Sequence, residues 1–311
     1  MDKTNQPDTP ITKVGYVALI GRPNSGKSTL LNHMIGEKVA IISDKPQTTR
    51  TSILGIKTTD KGQIIFIDNP GIHKPLHKLN RRMMNFVYGS LETADLLCLL
   101  IDGSLKFGHG DEFVLDTLKK VSTPVFLLIN KVDITRKDKI LLIIDHYKDL
   151  HPFVEIIPIS ALKGTNLDAL EDNLFKNLPE AEKLYSDDDI TVQSERFLIS
   201  EIIREKVLHQ VRQELPFTTA VFVDQIEDRE TPDAKQIKRP RKYVKASIFV
   251  ERDNHRAIIL GKQGSVIKTI GTQARMEIQE VLDAKVFLDL QIKVRERWRD
   301  SADVLDLIER Q

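Results

Sequence analysis

The chain has a single cysteine, Cys98, and a single tryptophan, Trp298, in 311 residues. One thiol excludes an internal disulfide and fits a reducing compartment. Cys98 sits inside the apolar run "DLLCLLIDG" and reads as a core thiol rather than a reactive one. That run is far short of the ~18 apolar residues that would suggest a membrane span. The N-terminal "MDKTNQPDTPITK" lacks the apolar centre of a signal peptide and the arginine-rich character of a transit peptide, so a cytoplasmic protein is expected. Net charge is also scarce, formally +1, which taken alone argues against a polyanionic partner. The average hides an uneven distribution. Residues 1–189 hold 24 Lys+Arg and 25 Asp+Glu, a balance of −1, whereas residues 235–299 hold 16 and 7, a balance of +9. Charge runs are often only solvated faces, so this local excess admits a nucleic-acid partner without requiring one.

A hydrophobic fraction of 41% and a charged fraction of 29% are those of an ordinary globular protein. The length suits two domains at ~150 residues each. Short Val/Ile/Leu runs at 14–20, 63–68, 96–102, 124–130 and 155–160 alternate with amphipathic stretches such as "KLNRRMMNFVYGSLETA", "DEFVLDTLKKV" and "NLDALEDNLFKNL". Strands buried on both faces read as continuous aliphatic runs, so the pattern predicts an α/β domain whose mostly parallel sheet carries helices on both faces. The stretch 178–193, "LPEAEKLYSDDDITVQ", breaks the alternation. We expect a tail at 1–13, a first domain at 14–180, a linker at 181–193 and a smaller α+β domain at 194–311. In the second domain "SERFLISEIIREKVLHQVRQEL" reads as one amphipathic helix, N-capped by Ser194 and ended by Pro216. The strands "FTTAVFVDQ" and "YVKASIFVE" follow, joined by a charged loop, then a G-x-x-G loop, a helix from about Val266 to Leu282 and the strand "KVFLDLQIKV".

Gly21, Arg22, Pro23, Asn24, Ser25, Gly26, Lys27 and Ser28 fit G-x-x-x-x-G-K-[ST], with Thr29 next, between a strand and a helical pattern. Such glycines let backbone N–H groups wrap phosphates at a helix N-terminus, while Lys27 neutralises phosphate oxygens and Ser28 ligates Mg²⁺. Asp68, Asn69, Pro70 and Gly71 form D-x-x-G at the end of the second strand: Asp68 is placed to hold the metal and the Gly71 N–H to meet a γ-phosphate. Asn130, Lys131, Val132 and Asp133 form N-K-x-D, whose carboxylate accepts two hydrogen bonds from guanine and none from adenine. A site built to pair such groups discriminates by ~10⁴ or more. Ser160, Ala161 and Leu162 follow the last strand, and the Ala161 N–H is expected to reach the guanine oxygen. An ATPase motor conflicts with N-K-x-D.

These four motifs in this order resemble the translation-factor class of P-loop GTPases. "DKPQTTRTSILG" (44–55) and "DNPGIHKP" (68–75) resemble the Era subfamily, and the likeness runs from about residue 14 to 300. It implies GTP hydrolysis to GDP with Mg²⁺ held by Ser28, Asp68 and Thr49, Thr48 being the alternative. Lys27, Thr49, Asp68 and Gly71 would carry the catalysis. Ile72 stands where related enzymes place a water-orienting Gln, so intrinsic turnover should be slow. An RNA-binding scaffold that binds GTP or GDP with little hydrolysis is therefore an alternative. His73 reads as structural, Asn69 departs from the family's usual Thr or Ala, and Asn24 is the position at which related GTPases hold K⁺.

The loop Gly261-Lys262-Gln263-Gly264 with its apolar flanks resembles the K-homology (KH) signature, and the element order suits its type II variety. Ile259, Ile267 and Ile270 are candidates for an apolar groove wall, with plain core packing as the other reading. Lys262, Lys268 and Arg275 would meet phosphates. Gln263 stands where the family has Gly, tolerable if its φ is negative. Lys293, Arg295, Arg297 and Arg299 add basic charge, and Trp298 reads as domain-end packing or a base-stacking ring. The resemblance implies binding to small-subunit (16S) ribosomal RNA near its 3′ end, assembly of the 30S subunit, a monomer, and peripheral contact with the inner membrane.

Overall fold

The computed structural model describes residues 12–229 and 241–311. Most of the expected N-terminal tail, and the centre of the charged loop before the second strand of the C-terminal part, lie outside the described residues. The chain separates into two compact units. The first comprises the chain up to Ala40, Thr49–His73 and Met83–Val192; the second comprises Ile41–Thr48, Lys74–Arg82 and Gln193–Gln311.

In chain order the first unit's elements are β1 (Thr12–Gly21), α1 (Lys27–Ile35), β2 (Ile53–Thr59), β3 (Gly62–Asp68), α2 (Lys78–Thr93, begun in the second unit), β4 (Leu96–Asp102), α3 (His109–Leu118), β5 (Val125–Asn130), α4 (Lys137–Tyr147), β6 (Glu155–Pro158), α5 (Leu167–Asn177) and β7 (Glu180–Ala181). The sheet runs β2-β3-β1-β4-β5-β6, parallel from β3 to β6, with β2 antiparallel at one edge and β7 paired to the start of β1. β3 and β5 are buried along their whole length, which is why their sequences show no alternation. Cys98 is fully buried between β1 and β5 partners, and burial holds its thiol far above the ordinary range. β2 was not read from the sequence: Gly55 and three Thr/Lys positions dilute its apolar signal, and it sits at an edge.

The second unit contains α6 (Glu195–Gln210), α7 (Leu215–Thr218), β8 (Ala220–Arg229), β9 (Arg241–Val250), α8 (Asp253–Leu260), α9 (Ser265–Val281), β10 (Lys285–Val294) and α10 (Ala302–Glu309). Its sheet is β10-β9-β8, with β9 and β10 parallel over ten residues and β8 antiparallel to β9. α6, α8 and α9 cover one face through Ile199, Ile203, Val207, Ile259, Ile270, Ala274 and Ile278. Ser194 does cap α6, accepting from Phe197 N at 3.0 Å. The helix does not run to Pro216, however. It ends at Gln210, Val211 turns extended, Gln213 takes φ 59°, and Pro216 sits in the first turn of α7, where its missing N–H and fixed φ are no handicap. Among the described residues no helix is long and apolar enough to cross a membrane.

Candidate functional site

The P-loop joins β1 to α1. Gly26 precedes α1 at φ 100°, and a Cβ there would lie 2.2 Å from Asn130 Nδ2; one on Gly71 would lie 2.5 Å from Pro23 N. Glycine is thus required where the loop meets β5 and where the segment after β3 meets the loop. Lys27 is buried and donates to the carbonyls of Arg22 (3.1 Å) and Gly21 (3.5 Å). Burial pulls its ammonium down to about 8, with Asp68 opposing. Burial likewise pushes Asp68 up to about 6 against Lys27, Ser28 and Thr49. A bound anion at Lys27 and a cation at Asp68 would each favour the charged form.

The Ser28 hydroxyl donates to Asp68 Oδ2 at 2.5 Å, and Thr49 Oγ1 lies 3.0 Å from Ser28 Oγ and 3.3 Å from Asp68 Oδ2. Asp68 Oδ1 is buried without a hydrogen-bond partner. Three hard oxygen donors around an unpartnered buried carboxylate oxygen fit Mg²⁺. Thr48 is turned away, its hydroxyl donating to the Lys45 carbonyl at 2.6 Å, so the geometry favours Thr49 of the two.

At the ends of β5 and β6 the base-selecting loops are braced on Asn130. Its Nδ2 donates to the Ser25 carbonyl (2.8 Å) and its Oδ1 accepts from Lys131 N (2.8 Å) and Ala161 N (2.9 Å). Lys131 Nζ reaches Asp102 Oδ2 at 2.6 Å; burial opposes ionisation of Asp102, but Lys131 and Ser104 hold it below the usual carboxylate range. Asp102 was missed in the sequence, though its place at the end of β4, in line with Asn130, could have flagged it. Asp133 Oδ1 accepts from the Ser160 hydroxyl at 2.6 Å.

The structure adds detail at several of the expected positions. The Ala161 N–H donates to Asn130 Oδ1 at 2.9 Å. Asp133 is exposed. Asn69 is fully buried, its amide bonded to Ser52 Oγ and to the carbonyls of Leu19 and Ile67, so its side chain is withdrawn from the nucleotide site. The Ile72 side chain packs in the core beneath the sheet, and its N–H donates to the Gly21 carbonyl at 2.9 Å. Pro70 is buried, Thr29 and Val132 are half-buried, and Leu162 is exposed at the rim. Arg22 has a partner not expected from sequence, Asp111 at 2.9 Å.

In the second unit Gly261-Lys262-Gln263-Gly264 joins α8 to α9, and Lys262, Gln263, Lys268 and Arg275 are exposed. Gln263 adopts φ 52°, the left-handed region, so the negative-φ condition is not met. Ile259 and Ile270 are fully buried in the core, leaving Ile267, half-buried, as the one member of the expected groove wall that the surface reaches. Ile258 and Leu260, 49% and 46% exposed, are open apolar groups at the end of α8, just before the loop. Lys293 pairs with Asp224, and Arg299 is held by Glu251 through two 2.9 Å bonds, which removes both from the free basic set. Trp298 is fully buried and donates to the Thr218 carbonyl at 2.8 Å, which settles it as packing.

Fold and site define a P-loop GTPase unit followed by a KH unit in one chain. Residues 16–131 match the family model described as a 50S ribosome-binding GTPase, and residues 220–299 match the KH domain model. The chain is 46% identical over 300 residues to the GTPase Era of Leuconostoc citreum (strain KM20), covering 95% of this chain and 96% of that one. It is similar, at 40% identity and TM-score 0.90, to a crystal structure of Era in complex with MgGDPNP and nucleotides 1506–1542 of 16S ribosomal RNA, covering 96% and 98% of the two chains. A variant of Aquifex aeolicus Era bound to GDP·AlF₄⁻ gives TM-score 0.89 at 40% identity, covering 96% of this chain and 99% of that one. The chain belongs to the Era family of GTPases.

Proposed function

We propose that this chain is a GTP-hydrolysing switch that binds small-subunit (16S) ribosomal RNA near its 3′ end through the KH unit and assists 30S assembly. The observation that carries it is the convergence of Ser28, Thr49 and Asp68 beside buried Lys27, in a chain that also exposes Lys262 and Gln263 between two helices. The RNA-bound Era relative supports the choice of RNA. Mg²⁺, when bound, supplies positive charge to the phosphates. Lys27 neutralises phosphate oxygens, the P-loop N–H groups orient them, Gly71 approaches from the β3 side, and Asp133 selects guanine. Ile72 has no group to orient water and is tied into the core, so hydrolysis depends on the P-loop and Thr49 and turns over slowly. We further propose K⁺ at Asn24, checked by comparing turnover in K⁺ and Na⁺, a monomeric state, a cytoplasmic location with weak peripheral membrane contact, and the domain division drawn from the sequence. Crosslinking RNA in cells to wild-type and Gly264→Asp protein tests the main reading. Ribosomal RNA recovered with wild type and lost with the variant supports it; messenger RNA or DNA overturns it. Ile72 also favours a scaffold with little hydrolysis, and phosphate release that Lys27→Ala abolishes decides against that.

A further inference from the structure

The sheet β10-β9-β8 turns one face to α6, α8 and α9, into which Val244 and Ala246 of β9 pack. Side chains alternate along a strand, so Arg241, Tyr243 and Lys245 stand on the other face. There Arg229, Arg241 and Lys285 form one row across the three strands: Arg241 is directly opposite Arg229 in the antiparallel pair and in register with Lys285 in the parallel one. All three are exposed, and among the described residues no carboxylate pairs with them. Like charges directly opposite one another weaken a sheet, so folding gives no reason to line them up. The next row on this face holds two rings. Tyr243 and Phe287 are in register and stack with centroids 5.7 Å apart and planes 16° from parallel, and the Arg229 guanidinium lies 4.3 Å from the Tyr243 centroid. A cross-strand ring pair is an ordinary sheet stabiliser, which accounts for Tyr243. It does not account for the exposure of Phe287, 62%, on the edge strand β10. The acids beside the rings are engaged: Asp289 accepts from the Tyr243 hydroxyl at 3.1 Å, and Glu227 accepts from Gln225.

A row of cations without carboxylate partners, next to an open aromatic ring, matches a polyanion in which phosphates alternate with flat bases. We propose that this face of the KH unit is a second contact for single-stranded RNA, with Phe287 as its base platform and Arg229, Arg241 and Lys285 as its phosphate contacts. This rests on the RNA reading of the KH unit above. The G-x-x-G loop joins α8 and α9, which cover the opposite face, so a strand that uses both contacts passes around an edge of the sheet. Every base has a π-face, so the platform adds affinity and little sequence choice. Its cations add to the salt dependence that those near the loop produce.

The test uses the full chain as wild type, Phe287→Leu, Phe287→Trp and Arg241→Gln, with melting temperature as the check on folding. Each is titrated with a labelled single-stranded RNA long enough to span both contacts and with an abasic strand of the same length. Crosslinks from bromouridine placed along the RNA are mapped to peptides by mass spectrometry. Phe287→Leu should weaken RNA binding by about tenfold, for one lost base stack, and Phe287→Trp should restore it. The abasic strand, with nothing to stack, should bind wild type and Phe287→Leu equally. Arg241→Gln should make the fall of log affinity with log salt shallower by ~0.7. The peptide containing Phe287 should carry a crosslink in wild type. Crosslinks confined to the peptide of the G-x-x-G loop, with Phe287→Leu at wild-type affinity, overturn the proposal. So does an equal loss for RNA and abasic strand in Phe287→Leu, since the face would then serve charge alone, as an acidic protein surface supplies it. A crosslink at Phe287 with none at the loop sinks the loop's part in the parent reading and leaves this contact standing.

Discussion

Lys27 is a buried ammonium whose visible partners are two carbonyls, and those cannot replace a phosphate. Lys27→Ala should reduce GTP hydrolysis by about 10²–10³-fold, as expected for removing one preorganised charge from a reacting phosphoryl group, with melting temperature preserved. Steady-state phosphate release measures it. Asp133 accepts from Ser160 and is open to solvent, so its specificity is testable without disturbing the core. Asp133→Asn should replace guanine preference by xanthine preference, read by competition between GTP and XTP. Gln263 at φ 52° lies where non-glycine side chains are strained. Gln263→Gly should leave the fold intact, raise stability by no more than ~1 kcal/mol, and keep RNA binding; a thermal melt and a filter-binding titration check both.

At the level of elements, Trp298 closes the second unit through its packing and its bond to the Thr218 carbonyl. Trp298→Phe leaves that carbonyl unpaired and shrinks the side chain, a loss of about 1–3 kcal/mol in urea unfolding. Motifs set by backbone chemistry were legible in the sequence: the P-loop, D-x-x-G after β3 and N-K-x-D after β5 all stand where strand ends require them. Features set by tertiary context were not. Ile259, Ile267 and Ile270 have the same chemistry, and only packing against β9 and β10 sends two inward and leaves the third at the surface. Pro216 reads as a stop in one dimension, but a break at Val211 makes it the start of the next helix. The bond from the Ala161 N–H to Asn130 Oδ1 joins two loops 31 residues apart and could not be read from the sequence. Arg204 and Glu205 resemble ordinary surface charges of an amphipathic helix until their burial is seen.

For the molecule as a whole, the local +9 overstates the phosphate-binding charge, since Lys293 and Arg299 are engaged by Asp224 and Glu251. If Lys262, Lys268 and Arg275 each meet one phosphate, log affinity for single-stranded RNA should fall against log salt with a slope of roughly −2, at ~0.7 per contact. Lys262→Ala should make that slope shallower by ~0.7, whereas Arg299→Ala should leave it unchanged and lower stability instead.

The division of the chain into units has a further consequence. Because Ile41–Thr48 and Lys74–Arg82 belong to the second unit while the residues around them belong to the first, the backbone passes from one to the other at 40/41, 48/49, 73/74, 82/83 and 192/193. A single cut in the chain therefore does not reproduce this partition: a fragment that ends before 193 still includes 41–48 and 74–82.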